Sequence, residues 1–272
     1  MKVYDSRGRD VREAIESLLP GDWSFEGKRV LDFGCGAGRV LRHFLPEART
    51  AEFWGCDIHA PSIQWLQKNL CPPLHAYRNA DTPPLPHPDG SFDLIWALSV
   101  LTHITDSWSA WLVELHRVLA DDGLLLVTFM GEGVSEYVTG EPWDEDRIGM
   151  NVVHCGESWD VGGPKVLHSP WWIRSHWGRA FDIVTLAPHG FSRDGPVGQG
   201  AALLRKKPVR VTPVDLERWD PQETREVEAL RHNLVQLQRE LASLRQSGSW
   251  RVTRPIRTWH VRWQALKAKL QN

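Results

Sequence analysis

The stretch VLDFGCGAGR, residues 30–39, sets three glycines at alternate positions directly behind an apolar run. The run RVLDF (29–33) reads as a short buried strand. Glycines crowded behind a strand mark a turn where the backbone passes close to a ligand or to another part of its own chain. The rest of the chain repeats the motif's alternation. EFWGCDI (52–58), SFDLIWAL (91–98) and LLLVTFM (124–130) read as further strands, and FDIVTLA (181–187) with GQGAALLRKK (198–207) as a closing pair. Between them, helices are expected over 9–19, after the glycines through Val40, Leu41 and Phe44 to Pro46, over 62–70, and over 107–120. Ser169 and Pro170 suit the N-cap and first turn of a helix in WWIRSHWGRA. Strand and helix in alternation predict an α/β fold with a doubly wound, mostly parallel sheet.

Composition removes several alternatives. The 272 residues carry a formal charge of −2, so a general nucleic-acid binder is not expected. No apolar run is long enough to span a bilayer, and the first ten residues lack the apolar core of a signal peptide, which points to the cytoplasm. Cys35, Cys56, Cys71 and Cys155 form no C-x-x-C pair, and Asp144, Glu145 and Asp146 read as a solvated charge run, so no metal site is expected. The glycine-, proline- and tryptophan-rich residues 131–170 read as a substrate-side insert or lid.

The domain is expected to occupy residues 1–207, followed by a proline-punctuated linker over 208–221. Over 222–246, Val227, Leu230, Leu234, Leu237, Leu241 and Leu244 recur at heptad spacing. That helix either packs back on the domain or meets a partner helix, including one from a second copy. Residues 247–272 hold six Lys/Arg and no Asp/Glu, with Ile256, Trp259, Trp263, Leu266 and Leu270 on one helical stripe. A basic amphipathic helix of this kind suits peripheral contact with an anionic membrane, here the inner face, or else extends the coil. Removing 209–272 is expected to leave a folded domain.

The glycine spacing narrows the ligand. A strand, a glycine-rich turn and a helix open the nucleotide-cofactor folds. Asp57 ends the next strand, where a carboxylate can accept the ribose hydroxyls of an adenosine. A dinucleotide fingerprint would need a third glycine at position 39, which is Arg39; the motif is Gly34-x-Gly36-x-Gly38. With GCDIHAPSI around Asp57, RNADTPPLPHPDGSFDLIWALSVLTHI (78–104) and LHRVLADDGLLLVTF (115–129), the chain resembles class I S-adenosylmethionine (SAM)-dependent methyltransferases over about residues 25–207. The resemblance implies a seven-stranded Rossmann-like sheet and SAM as cofactor. It implies contacts from Asp32, Gly34, Cys35, Gly36, Gly38, Asp57, Ile58, Ala80, Asp81 and Leu98, with Asp81 near the adenine. Asp32 either meets the methionine ammonium or holds the turn.

The acceptor is less defined. A hydroxyl nucleophile asks for a base, and His103, just beyond the strand 91–98, is the candidate; His154 and His168 are weaker ones. Tyr137, Trp143 and Trp159 suit an acceptor pocket. The segments SGSWRVTRPIR (247–257) and HSPWWIRSHWGRAFDIV (168–184) resemble parts of bacterial polysaccharide-assembly proteins. That likeness implies a glycan acceptor, methylated at a sugar hydroxyl. Two other readings remain: a small-metabolite methyltransferase, and a non-catalytic scaffold of a glycan-assembly complex.

Overall fold

Every central strand alternates buried side chains to both faces, as a sheet covered on two sides requires. Val30, Leu94, Trp96, Leu124 and Leu126 enter one core layer; Leu31, Ile95, Ala97, Leu125 and Val127 enter the other. The computed structural model describes residues 2–155, 162–192 and 197–252. Its main sheet runs β3 (His75–Arg78), β2 (Glu52–Asp57), β1 (Arg29–Phe33), β4 (Phe92–Ala97), β5 (Leu119–Phe129), β9 (Gly200–Lys206), β8 (Phe181–Ala187). The first five are parallel, β9 is antiparallel to β5, and β8 is antiparallel to β9. The seven-stranded, mostly parallel sheet matches the expected fold class. A separate antiparallel pair, β6 (Met150–Val153) and β7 (Lys165–His168), stands beside it.

One layer is closed by α1 (Lys2–Leu18) and α2 (Ala60–Leu70), the other by α3 (Trp108–Val118) and α5 (Pro170–His176). On α3, Trp108, Trp111, Leu112, Leu115 and Val118 are buried at helical spacing. Ser169 caps α5 as expected, its hydroxyl accepting from Trp172 N at 3.3 Å. Six tryptophans (96, 108, 111, 171, 172 and 177) are core residues.

Four expectations are revised. The continuous helix expected after the glycines is instead two short 3-10 turns, Leu41–Phe44 and Glu47–Arg49. Seven residues between Gly38, at φ +70°, and Pro46 leave less than two helical turns. Helix α1 starts well before residue 9: Gly8 lies inside it because a Cβ there would collide with the Arg39 carbonyl. The insert over 131–170 is not irregular throughout: it contains α4 (Glu132–Thr139), β6 and β7.

The fourth revision concerns 208–221, which is not a free linker. Thr212 and Asp215 form a reciprocal capping box that starts α6 (Pro213–Glu217). Leu216 on α6 is fully buried in the layer that holds Trp108, Trp172 and Trp177. His176 Nδ1 donates to the Leu216 carbonyl at 2.7 Å, and its Nε2 lies 3.1 Å from the buried Glu226 of α7 (Arg225–Gln246). Helix α7 therefore packs back along one face. Asn233 Oδ1 accepts from Val152 N at 3.1 Å and Glu240 Oε1 from His154 N at 3.1 Å, so side chains of α7 satisfy the outer edge of β6. The heptad residues Val227, Leu230, Leu234, Leu241 and Leu244 stay 39–58% exposed on the stripe beside the packing face. Pairing of that stripe remains a proposal. After α7 comes the short α8 (Gly248–Val252); the stripe expected over Ile256–Leu270 lies outside the described residues. No described helix is long and apolar enough to cross a membrane.

Two outcomes are expected. Leu216→Ala should cost about 2–5 kcal/mol in denaturant unfolding, and a chain ending at 207 should be less stable still; an unchanged midpoint would return 208–221 to linker status. His168 is fully buried, and burial pushes its imidazole down to about 3. The unfolded chain therefore binds a proton that the fold excludes, and stability is lost as pH falls below about 6.5. At pH 5 the loss from His168 is roughly 2 kcal/mol, and His168→Leu should flatten that part of the acid limb.

Candidate functional site

The glycine turn joins β1 to the carboxyl end of β2. Gly34 N and Cys35 N both donate to the Cys56 carbonyl, at 2.8 and 3.0 Å. Gly36 N donates to Asp57 Oδ2 at 2.8 Å, while Asp57 Oδ1 accepts from His59 N at 2.8 Å, at the start of α2. The turn's amides are thus spent on its own chain rather than gathered to hold a phosphate, in keeping with the absence of a third fingerprint glycine. Each Asp57 oxygen keeps a further lone pair for a hydroxyl.

All three glycines have positive φ, +86°, +54° and +70°, yet they have different neighbours. A Cβ on Gly34 would collide with Val100 Cγ2, so the loop after β4 lies directly over it. A Cβ on Gly38 would come within 2.8 Å of Leu66 Cδ1 on α2. At Gly36 nothing lies within 4 Å. Of the three, Gly36 faces open space, and there a ligand can approach the backbone.

A cleft of about 1080 Å³ opens at the carboxyl ends of β1, β4 and β5, where doubly wound sheets bind ligands. Asp32, Gly34, Cys35 and Leu98, all expected at the site, line it. Asp57 ends β2 with Ile58 just beyond it, and Ala80 and Asp81 follow β3, further along the same edge of the sheet. The loop bearing Asp81 is fastened to α3: Trp111 Nε1 donates to the Asp81 carbonyl at 3.3 Å, and the buried Glu114 accepts from Leu85 N at 2.7 Å. Cys35 is a buried thiol whose pKa burial pushes up, so it packs rather than reacts.

Asp32 is 3% exposed on the cleft floor. Burial raises its carboxyl to about 7, the charge of Asp57 adds to the shift, and the Trp96 indole and Arg39 oppose it. The residues fit a cationic adenosine cofactor: a carboxyl poised to ionise beside a positive group, an open glycine, and a carboxylate at the ribose position.

The histidines fall elsewhere. His103 lies in the turn after β4, with Nδ1 2.8 Å from the Pro164 carbonyl; it is not among the residues that line the cleft. His154 Nε2 is 3.0 Å from the Val138 carbonyl, and His168 is fully buried. Tyr137, 91% exposed, lines the cleft; Trp143 lines a separate cavity, and Trp159 is outside the described residues. Among the described residues no group of His, Cys, Asp and Glu is arranged to hold a metal ion.

The structure adds residues that the sequence did not point to. Arg7, Asp10 and Val11 bring α1 to the cleft, α4 brings Val134, and the segment before β9 brings Phe191 and Gln199. Ser99, at φ +58°, donates its N–H to Thr128 Oγ1 at 2.7 Å and accepts from Gln199 Nε2 at 3.0 Å. Ser192, at φ +54°, also lines the cleft, and neither serine's positive φ is signalled in the sequence. Arg7 was accessible by extending α1 one turn towards its start.

Residues 31–127 match the family described as "Methyltransferase domain". This segment is similar to methyltransferase domains, and the match covers less than half of the chain. Over 144 residues the chain is 31% identical to a malonyl-[acyl-carrier protein] O-methyltransferase of Halorhodospira halophila, covering 50% of this chain and 45% of the relative. Over 103 residues it is 30% identical to a fatty-acid O-methyltransferase of Mycolicibacterium smegmatis, covering 38% and 37%. The chain therefore spans less than half the length of either. The fold resembles a SAM-dependent methyltransferase from Mesorhizobium loti, with TM-score 0.53, 17% identity and coverage of 71% of this chain and 96% of that one. It likewise resembles the glycopeptide N-methyltransferase MtfA in complex with SAM, with TM-score 0.53, 14% identity and coverage of 73% and 94%.

The domain's glycines and acids can now be separated by substitution. Gly36→Ala should weaken SAM at least tenfold in calorimetry while costing only about 1–2 kcal/mol of stability; Gly38→Ala should show the reverse balance. Asp57→Ala should also weaken SAM, and equal affinity would remove the ribose assignment. If Asp32 faces the cofactor's cation, SAM affinity should fall as pH drops from 8 to 6, and Asp32→Asn should abolish that slope. A slope that survives in Asp32→Asn assigns Asp32 to holding the turn.

Proposed function

We propose that the protein is a SAM-dependent O-methyltransferase whose acceptor oxygen belongs to a carboxylate on a partly apolar molecule. The observation that carries this is a pair of guanidiniums: Arg7 and Arg39 line the cleft beside Asp10 and Asp32, and among the described residues no histidine does. A carboxylate is already ionised at neutral pH, so it needs no base, and a guanidinium pairs with one of its oxygens while the other attacks. A sugar hydroxyl, the acceptor expected from the sequence, would call for a base, and the cleft-lining groups that could serve are the carboxylates Asp10 and Asp32, the second of which the cofactor's cation would engage. SAM, when bound, supplies an electrophilic methyl group on a sulfonium. The chain's own part is to align the acceptor with that methyl, which is worth up to about 7–11 kcal/mol, and to keep water out. Val134, Phe191 and Val197 provide apolar wall for the rest of the acceptor. The curated relatives support the reading, since a malonyl group and a fatty acid each end in a carboxylate. Pairing through 222–246, membrane contact through 247–272 and a glycan partner are proposals that rest on the sequence alone.

The test is methyl transfer from labelled SAM to fatty acids, to half-thioesters of dicarboxylic acids, and to neutral glycosides. Carboxylate acceptors should yield a methyl ester that mild base hydrolyses. Arg7→Ala and Arg39→Ala should raise the acceptor KM about tenfold or more with SAM affinity nearly unchanged. A base-stable methyl ether on a glycoside would overturn the carboxylate assignment and reinstate the sugar hydroxyl.

A further inference from the structure

A second cavity, about 510 Å³, lies under α7, bounded by the end of α4, the 140–148 loop and the β6–β7 pair. It is the size of a small-molecule site and separate from the cleft. Its lining combines one aromatic wall, Trp143, with polar groups of both hydrogen-bonding senses: Glu141 and Glu145 from the loop, Asn151 from β6, and His232 and Gln236 from α7.

The charges exclude an ion. Three carboxylates and one guanidinium line the cavity, and with Arg225 and Arg239 facing two of the carboxylates the charges nearly balance, so neither a free anion nor a free cation is drawn in. Each carboxylate faces a guanidinium: Asp144 faces Arg147 at 3.5 Å, Glu145 faces Arg225 at 3.9 Å, which also holds Glu223 at 2.7 Å, and Glu141 faces Arg239 at 4.0 Å. An organic cation would have to break those pairs, and no metal-holding group exists among the described residues. A purely apolar ligand would strand the polar lining. What remains is a neutral ligand with many hydroxyls and one apolar face.

We infer that this cavity binds a neutral carbohydrate ring. Paired carboxylates accept hydrogen bonds from hydroxyls while their charge stays balanced. Asn151 Nδ2 lies 3.4 Å from His232 Nδ1, which leaves Nε2–H of His232 as a donor. Trp143 carries the apolar wall, and its own Nε1 has no hydrogen-bond partner among the described residues. The cavity also borders Thr139 at the end of α4, the helix whose Val134 and Tyr137 line the cleft. A sugar held here sits one helix away from the reaction site, whatever the acceptor there.

The test uses the full chain and needs no methyl transfer, so it stands apart from the proposed activity. Methyl glucoside, methyl galactoside and methyl mannoside are titrated in turn, followed by calorimetry and by the indole N–H signals of the tryptophans. At least one should bind saturably, with Kd on the order of 1 mM, and shift the Trp143 signal. Gln236→Ala and Glu141→Ala, both at the rim, should weaken it tenfold or more without altering the circular dichroism. The inference falls if none of the three binds saturably, if both variants bind as the parent does, or if glucuronate or glucosamine binds tenfold tighter than every neutral glycoside.

Discussion

One carboxylate joins the parts of the site. Asp57 holds Gly36 N with one oxygen and His59 N with the other, so the end of β2, the turn after β1 and the start of α2 are fixed to each other. Around this point the turn is forced into left-handed backbone, which only glycine adopts at little cost. The cleft floor, the open side of Gly36 and the position of Asp32 follow from that geometry. A group that organises the empty turn and retains lone pairs for a hydroxyl prepares the site before a ligand arrives, which lowers the ordering cost of binding.

The sequence revealed the sheet because its strands are buried on both faces and bounded by turn residues. It revealed the glycine turn because few other local conformations need glycine in that spacing. It could not reveal why each glycine is there. Gly34 makes room for Val100 and Gly38 for Leu66, contacts from other parts of the chain, and only Gly36 leaves open space. The same limit applies to His103. Its place after β4 was legible, but the Pro164 carbonyl that holds Nδ1 comes from an insert whose path no local pattern specifies. Arg7 and Gln199 reach the cleft from opposite ends of the domain, and only the tertiary fold brings them there.

The region after residue 207 shows a different failure. Proline punctuation in 208–221 looked like a flexible connection, yet T-P-V-D at 212–215 is itself a helix-start signature, with a capping threonine, proline at the first position and an acid at the third. The single leucine that follows, Leu216, fills the tryptophan-lined layer. The heptad in α7 was legible as a stripe, but the polar residues between its leucines proved equally purposeful. Glu226, Asn233 and Glu240 fasten the helix to the domain, so two neighbouring stripes of α7 do separate work.

That fastening orders events during synthesis. Strand β6 leaves the ribosome long before Asn233 and Glu240, and until they arrive its outer N–H groups at Val152 and His154 have no side chain to cover them. An uncovered strand edge recruits other strands. The insert is therefore completed last, by the far end of the chain. A product that stops before residue 233 would present an uncovered strand edge to its neighbours.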